Sequence, residues 1–292
     1  MKTKYLLFTV MLLAACSKQN GKSDAYGNFE TEPVIVSSEM PGKIISVNFS
    51  QGIKIDSGSL LAVVDTVPVL LQINQVKAQI AASGSRKITS AAQVDVYVQQ
   101  IENLMIDRKR LSEMFREEAA TQKQLDDLNG QIKVLEKQAE SVKTSFQATD
   151  REIDVLESQL AIAENNFKKC FIHAPSGGTI LEKYIEQGEI TGAGKSIAKI
   201  AGLSQIILKV YVSGSQLPSV KLGQKTEIRI DNGKKEFNTF TGVVSWISPE
   251  AEFTPKIIQT KEERVKLVYG VKIKVSNDGS MKIGMPGEVI FK

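Results

Sequence analysis

The 292-residue chain carries 37 basic and 33 acidic side chains, for a formal charge of +4, and the two signs are interspersed along it. Without a basic stripe there is no electrostatic footprint for nucleic acid. The single histidine, His173, has no cluster of metal ligands at suitable spacing, and no nucleophile–base pair or phosphate-cradling glycine loop occurs. Metal, cofactor and catalytic roles therefore find no support, and an enzyme is not expected.

The first residues read as a targeting segment. Lys2 and Lys4 form a basic start, Tyr5 to Leu13 is an apolar run too short for a transmembrane helix, and Leu13-Ala14-Ala15-Cys16 follows. Small residues before a cysteine resemble the bacterial lipobox. That resemblance implies cleavage after residue 15, acylation of Cys16 and a stable membrane anchor, which several acyl chains supply and one does not. Removing residues 1–15 leaves 277 residues, a charge of +2 and Cys170 as the only other cysteine, so an internal disulfide is excluded. Residues 16–29 are expected to be a flexible tether, being polar and glycine-containing.

Proline placement divides the remainder. Between Pro68 and Pro175 there is no proline, and the only glycines are Gly84 and Gly130, whereas glycines and prolines punctuate short β-branched runs outside that stretch. The contrast predicts a helical insert over residues 68–169 between β-rich flanks. Its second half carries a heptad series: Leu125, Leu128, Ile132, Leu135, Ala139, Val142, Phe146, Thr149, Ile153, Leu156, Leu160, Ala163 and Phe167. Alternating spacings of three and four over about six heptads predict a coiled coil. The first half is less regular. Ile73, Val76 and Ile80 begin a stripe, Ser83-Gly84-Ser85 interrupts it, and Val94, Val98, Ile101 and Met105 resume it, with Leu104, Leu111 and Phe115 in a shifted phase. The expectation is one helix with a stutter near Gly84, or two segments joined there. Pro68 suits a first turn and Lys168-Lys169 a last turn. Thr121 and Gln124 have capping-box spacing, which puts the tip near residues 118–122. Two antiparallel helices of about 47 residues would each be about 70 Å long.

The flanks of the insert repeat each other at an offset of 136 residues. Gly42, Ile44, Gln51, Gly52, Gly58 and Ala62 recur as Gly178, Ile180, Gln187, Gly188, Gly194 and Ala198. Each copy reads as strand, glycine turn, strand. These halves resemble those of a biotinyl/lipoyl-type domain, here residues 30–67 and 170–202, with the helical hairpin in place of the turn that bears the modified lysine. Split halves around such a hairpin resemble the periplasmic adaptors, or membrane fusion proteins, of the HlyD-like group. Downstream, in residues 203–292, strand-like runs at Gln205 to Val212, Lys225 to Asp231, Thr241 to Ile247 and Val265 to Val275, with a turn at Asn232-Gly233, predict a small β-barrel. Glu252-Phe253-Thr254-Pro255, Gln259-Thr260, Arg264, Leu267-Val268-Tyr269 and Gly284-Met285-Pro286-Gly287-Glu288 resemble adaptors paired with ABC-type exporters. The expected fold is thus α+β and elongated: a split lipoyl-like β-domain, a long coiled-coil hairpin and a β-barrel.

The resemblance implies an adaptor linking an inner-membrane ABC transporter to an outer-membrane channel for efflux or secretion. It also implies self-association into a ring of about six copies. Members that dock on a channel often carry arginine, leucine and serine at the hairpin tip; Arg110, Met114 and Thr121 stand at those spacings, two of them conservative departures. The bland roles are a solvated arginine, a packing methionine and a helix cap. The runs Asp107 to Arg110 and Arg116 to Glu118 are expected to be solvated faces with local ion pairs. Cys170 reads as a half-buried small hydrophobe and Trp246 as barrel packing. Ser17 favours outer-membrane sorting by the enteric rule, whereas the adaptor role favours the inner membrane. Two other readings stand beside it: a structural envelope lipoprotein that binds through its coiled coil, and a biotin or lipoyl carrier, which lacks its lysine here.

Overall fold

A computed structural model describes residues 23–233, 237–253 and 267–291. Two β-bodies and one helical hairpin are present. The hairpin consists of α1 (Val67–Arg116) and α2 (Gln122–Lys169), which at 1.5 Å per residue run about 75 and 72 Å.

The split β-domain comprises β2 (Val34–Ser37), β3 (Gly42–Val47), β4 (Lys54–Ile55) and β5 (Leu60–Val64) before the hairpin. After it come β6 (Phe171–His173), β7 (Gly178–Lys183), β8 (Ile190–Thr191) and β9 (Ser196–Ala201). Adding 136 to the bounds of β4 gives those of β8, and the start of β5 maps onto that of β9. The two sheets run β2-β9-β7-β4 and β6-β5-β3-β8. Each therefore has two inner strands from one half and two edge strands from the other. The backbone bonds joining the halves come in mates at the same offset. Gly52 N donates to Ile180 O at 2.8 Å and Gly188 N to Ile44 O at 2.9 Å. Ser38 N donates to Lys195 O and Ala174 N to Ser59 O, both at 2.9 Å. The core repeats as well: Val36, Ile44, Phe49, Leu61, Ala62 and Val64 are buried, and so are Ile172, Ile180, Ile185, Ile197, Ala198 and Ile200. Gly58 and Gly194 take φ of +82° and +83°, a left-handed conformation that any Cβ would strain, and each N–H donates across the domain at 2.8 Å. The 136-residue repeat is thus a pseudo-two-fold axis, and the hairpin leaves from it.

The second body is a closed, six-stranded antiparallel barrel. Its strands are β1 (Ala25–Glu30), β10 (Gln205–Ser213), β11 (Lys225–Asp231), β12 (Phe237–Ile247), β14 (Leu267–Ser276) and β15 (Pro286–Phe291), with β13 (Glu252–Phe253) appended to β14. The order β10-β1-β15-β11-β12-β14 closes through the β10–β14 pair, so no edge remains open. Phe29, Ile206, Leu208, Ile228, Ile273 and Val289 fill the interior.

Two expectations need correction here. The tether expected through residue 29 instead becomes a barrel strand from Ala25, pairing with both β10 and β15. Its inward positions are Ala25, Gly27 and Phe29, and only the last is large. Gly27 is required by close approach: a Cβ there would stand 1.8 Å from Lys209 O. Trp246, expected to pack inside the barrel, lies on the outer wall, 37% exposed, with the Lys272 ammonium 5.8 Å from its ring centroid. A bulge between Val244 and Trp246 reverses the in–out alternation of β12 at that point.

Candidate docking hairpin

All thirteen residues of the α2 series, Leu125 to Phe167, are buried or half-buried against α1. On α1 the facing residues are Val69, Ile73, Val76, Ile80, Ser83, Lys87, Ser90, Val94, Tyr97, Ile101, Leu104, Arg108 and Leu111. Their spacings alternate four and three from end to end. There is no stutter and no break: α1 is one helix, and the seam passes Gly84 in unchanged register. Ser83 is 1% exposed, small enough to let the helices stay in contact. Lys87 bonds Asp150 at 2.5 Å and lies 5.1 Å from the Phe146 ring centroid, while Arg86 reaches Glu152 at 2.8 Å. A polar stretch thus replaces the apolar seam without shifting it. Val98 and Met105, assigned to the stripe by sequence, point outward.

The tip is a five-residue turn. Ala119 N donates to Met114 O and Glu118 N to Phe115 O, the paired bonds of a Schellman motif, with Glu118 at φ 60° where glycine is usual. Thr121 then caps α2: its Oγ1 accepts from Gln124 N, and the Gln124 side chain accepts from Thr121 N at 2.8 Å. Of the three candidate docking residues, Arg110 is exposed and 3.4 Å from Asp107 of its own helix. Met114, one turn on, is 47% exposed. Thr121 sits beyond the turn with its hydroxyl engaged in the cap. Arg110 and Met114 share one outward side of α1, whereas Thr121 belongs to the end.

The other singled-out residues hold quieter positions. Cys170 ends α2, is 1% exposed rather than half-buried, and approaches Asn166 O at 3.4 Å; burial, with Asp65 nearby, pushes its thiol pKa up. His173 is exposed, its Nδ1 2.9 Å from Phe171 O. Among the described residues no cluster of three His, Cys, Asp or Glu side chains could hold a metal, and no helix is long and apolar enough to cross a membrane. Cys16, Thr254-Pro255, Gln259-Thr260 and Arg264 lie outside the described residues.

No family model matches the chain. Among curated proteins, a "UPF0194 membrane protein" of Yersinia pseudotuberculosis serotype O:3 is 25% identical over 91% of this chain and 88% of its own length. Among solved structures, MacA from Actinobacillus actinomycetemcomitans superposes with a TM-score of 0.65 and 21% identity, covering 93% of this chain and 79% of MacA. The membrane fusion protein Spr0693 from Streptococcus pneumoniae R6 gives 0.53 and 16%, covering 91% and 97%. This is the membrane fusion protein fold. Within that fold the hairpin is the projecting element, and the split β-domain and the barrel are its base. Two helices alone bury few side chains, and most of the hairpin's surface is outward-facing.

Proposed function

We propose that the chain is a periplasmic adaptor, anchored through acylated Cys16, that assembles as a ring and links an inner-membrane ABC transporter to an outer-membrane channel for efflux or secretion. The adaptor couples and seals, while ATP hydrolysis belongs to the transporter. The observation that carries this reading is the hairpin itself: about 70 Å of helix, of which only the root, through Val69, Ile73 and Ala163, joins the core of the split β-domain.

The outer surface of the hairpin supports assembly. Leu70, Leu71, Ile88, Val98, Met105 and Ile106 on α1, and Val134, Val155 and Ile162 on α2, are 42–72% exposed and point away from the seam. The ion pairs Lys87–Asp150 and Arg86–Glu152 set which residues are level. By that register Ile162 stands about one turn from the height of Leu71, Val155 between those of Ala81 and Ile88, and Val134 between those of Val98 and Ile106. Apolar bands at matched heights on opposite edges suit side-by-side packing of copies in a closed, head-to-tail ring. Exposed apolar surface of this kind otherwise favours aggregation.

The test is in-cell cross-linking from Thr121→Cys in the full-length chain. Capture of an outer-membrane channel protein is expected. Repeated failure from a well-expressed, membrane-bound adaptor would count against docking at the tip. Replacement of Cys16 by serine should release the chain from membranes on fractionation.

A further inference from the structure

Near the tip the outer edges of the two helices carry charges that their own chain leaves unpaired. On α1, Glu102, Lys109 and Glu113 face outward, and on α2, Lys133, Asp127 and Lys123 do so. All six are exposed, and none has an ion-pair partner among the described residues. Some outward charges are neutralised locally, Arg110 by Asp107, Lys137 by Glu140 and Arg151 by Asp154, whereas Asp95, Arg116, Asp126, Glu136 and Lys143 are likewise exposed without an ion pair among the described residues. From Asp95 toward the base, the α1 edge carries no further charge, running through Ala92, Ile88, Ser85, Ala81, Ala78 and Asn74.

The antiparallel register set by Lys87–Asp150 puts Glu102 level with Lys133, Lys109 with Asp127 and Glu113 with Lys123, each within about two residues, or 3 Å. Read toward the tip, α1 presents minus, plus, minus, and α2 presents plus, minus, plus. Within one hairpin these sets lie on opposite edges and cannot meet. In copies related by rotation about an axis along the hairpins, equal heights are kept and the α1 edge of one meets the α2 edge of the next. We infer that this pattern is a register lock between copies, with Glu102, Lys109 and Glu113 of one hairpin pairing with Lys133, Asp127 and Lys123 of its neighbour. A shift by one charge sets like against like at every position, so the contact discriminates height more than it adds affinity. The inference rests on the ring assembly proposed above and assigns the contact that holds the tips level.

The experiment uses the full-length, membrane-anchored chain in two tagged forms, one bearing Lys109→Cys and the other Asp127→Cys, with buried Cys170 retained. Oxidation is expected to join the two tags when both forms are present and to give no dimer from either alone, because the contact is head-to-tail. Reversing the three charges of one edge (E102K, K109E, E113K) should lower association about tenfold at low salt, and reversing the other edge as well (K123E, D127K, K133E) should restore it. A control pair at the apolar band, Ala81→Cys with Val155→Cys, separates the two ideas. If the control pair joins and the Lys109–Asp127 pair does not, the register lock is wrong while the ring stands. If neither joins, the ring fails and the lock with it. Capture of a different protein at Lys109→Cys would give that edge another occupant and overturn the inference.

Discussion

Replacing Gly27 with alanine tests whether the N-terminal strand holds the barrel closed. The added Cβ would sit 1.8 Å from Lys209 O and 2.6 Å from Lys209 C, about half of an ordinary contact distance, and both atoms are backbone. No rotamer change relieves this, so β1 must move away from β10 or leave the barrel. Leaving exposes Phe29 and Ala25, now 1% and 2% exposed, and parts the pairings with β10 and β15. Loss of a buried phenylalanine alone costs about 3–5 kcal/mol. For a domain of this size each kcal/mol lowers Tm by about 4–8 °C, so the barrel transition should fall by more than about 10 °C. Differential scanning calorimetry of the full chain, with ellipticity at 222 nm as a monitor of the hairpin, reads this directly. A barrel transition within about 2 °C of the parent, with the helical signal intact, would refute the close-approach argument.

Three further outcomes are expected. Gly84→Ala, in an unbroken helix where a Cβ meets nothing within 4 Å, should stabilise the hairpin by about 1 kcal/mol, seen as a higher midpoint in urea by circular dichroism. Glu118→Gly should relieve the left-handed conformation at the tip and add about 1 kcal/mol, read as slower hydrogen exchange at residues 115–119. Cys170 should resist alkylation in the folded chain until the pH is well above that needed for a free thiol, because burial disfavours the thiolate. The sign for stability follows: the unfolded thiol ionises first as pH rises, so this group opposes folding only above the ordinary thiol range.

How much was legible depended on where apolar side chains coincide with buried positions. The α2 seam could be read in full because twelve of its thirteen residues are apolar. The α1 seam could not, since Ser83, Lys87, Ser90 and Arg108 occupy inward positions while Val98 and Met105 face out. A count of apolar residues there reports a phase shift that the backbone does not make. Strand β1 was hidden for a related reason: alanine, glycine and phenylalanine at its inward positions give no alternating signal. The outward turn of Trp246 depends on a bulge, which is a property of the pairing and not of the local sequence. The repeat, by contrast, was legible from glycines at turns, and the structure extends its match back to Val36 and Ile172. The tip pattern Arg110, Met114 and Thr121 fixed a place but no contact, because a docking surface is completed only by its partner.

The exchange of edge strands between the halves of the β-domain bears on how the chain is made. Each sheet needs strands from both sides of the insert, so β6-β5-β3-β8 cannot be completed until residue 191 has left the ribosome, nor β2-β9-β7-β4 until residue 201 has. A disordered segment of that length would make closure slow. The hairpin folds through local contacts and returns its two ends to one place, so the domain sees a short connection. Adding or removing a heptad from both arms together would leave those ends where they are and change the span by about 10 Å. Reach is therefore free to drift in steps of seven residues, while the β-domain at the root of the hairpin keeps its shape.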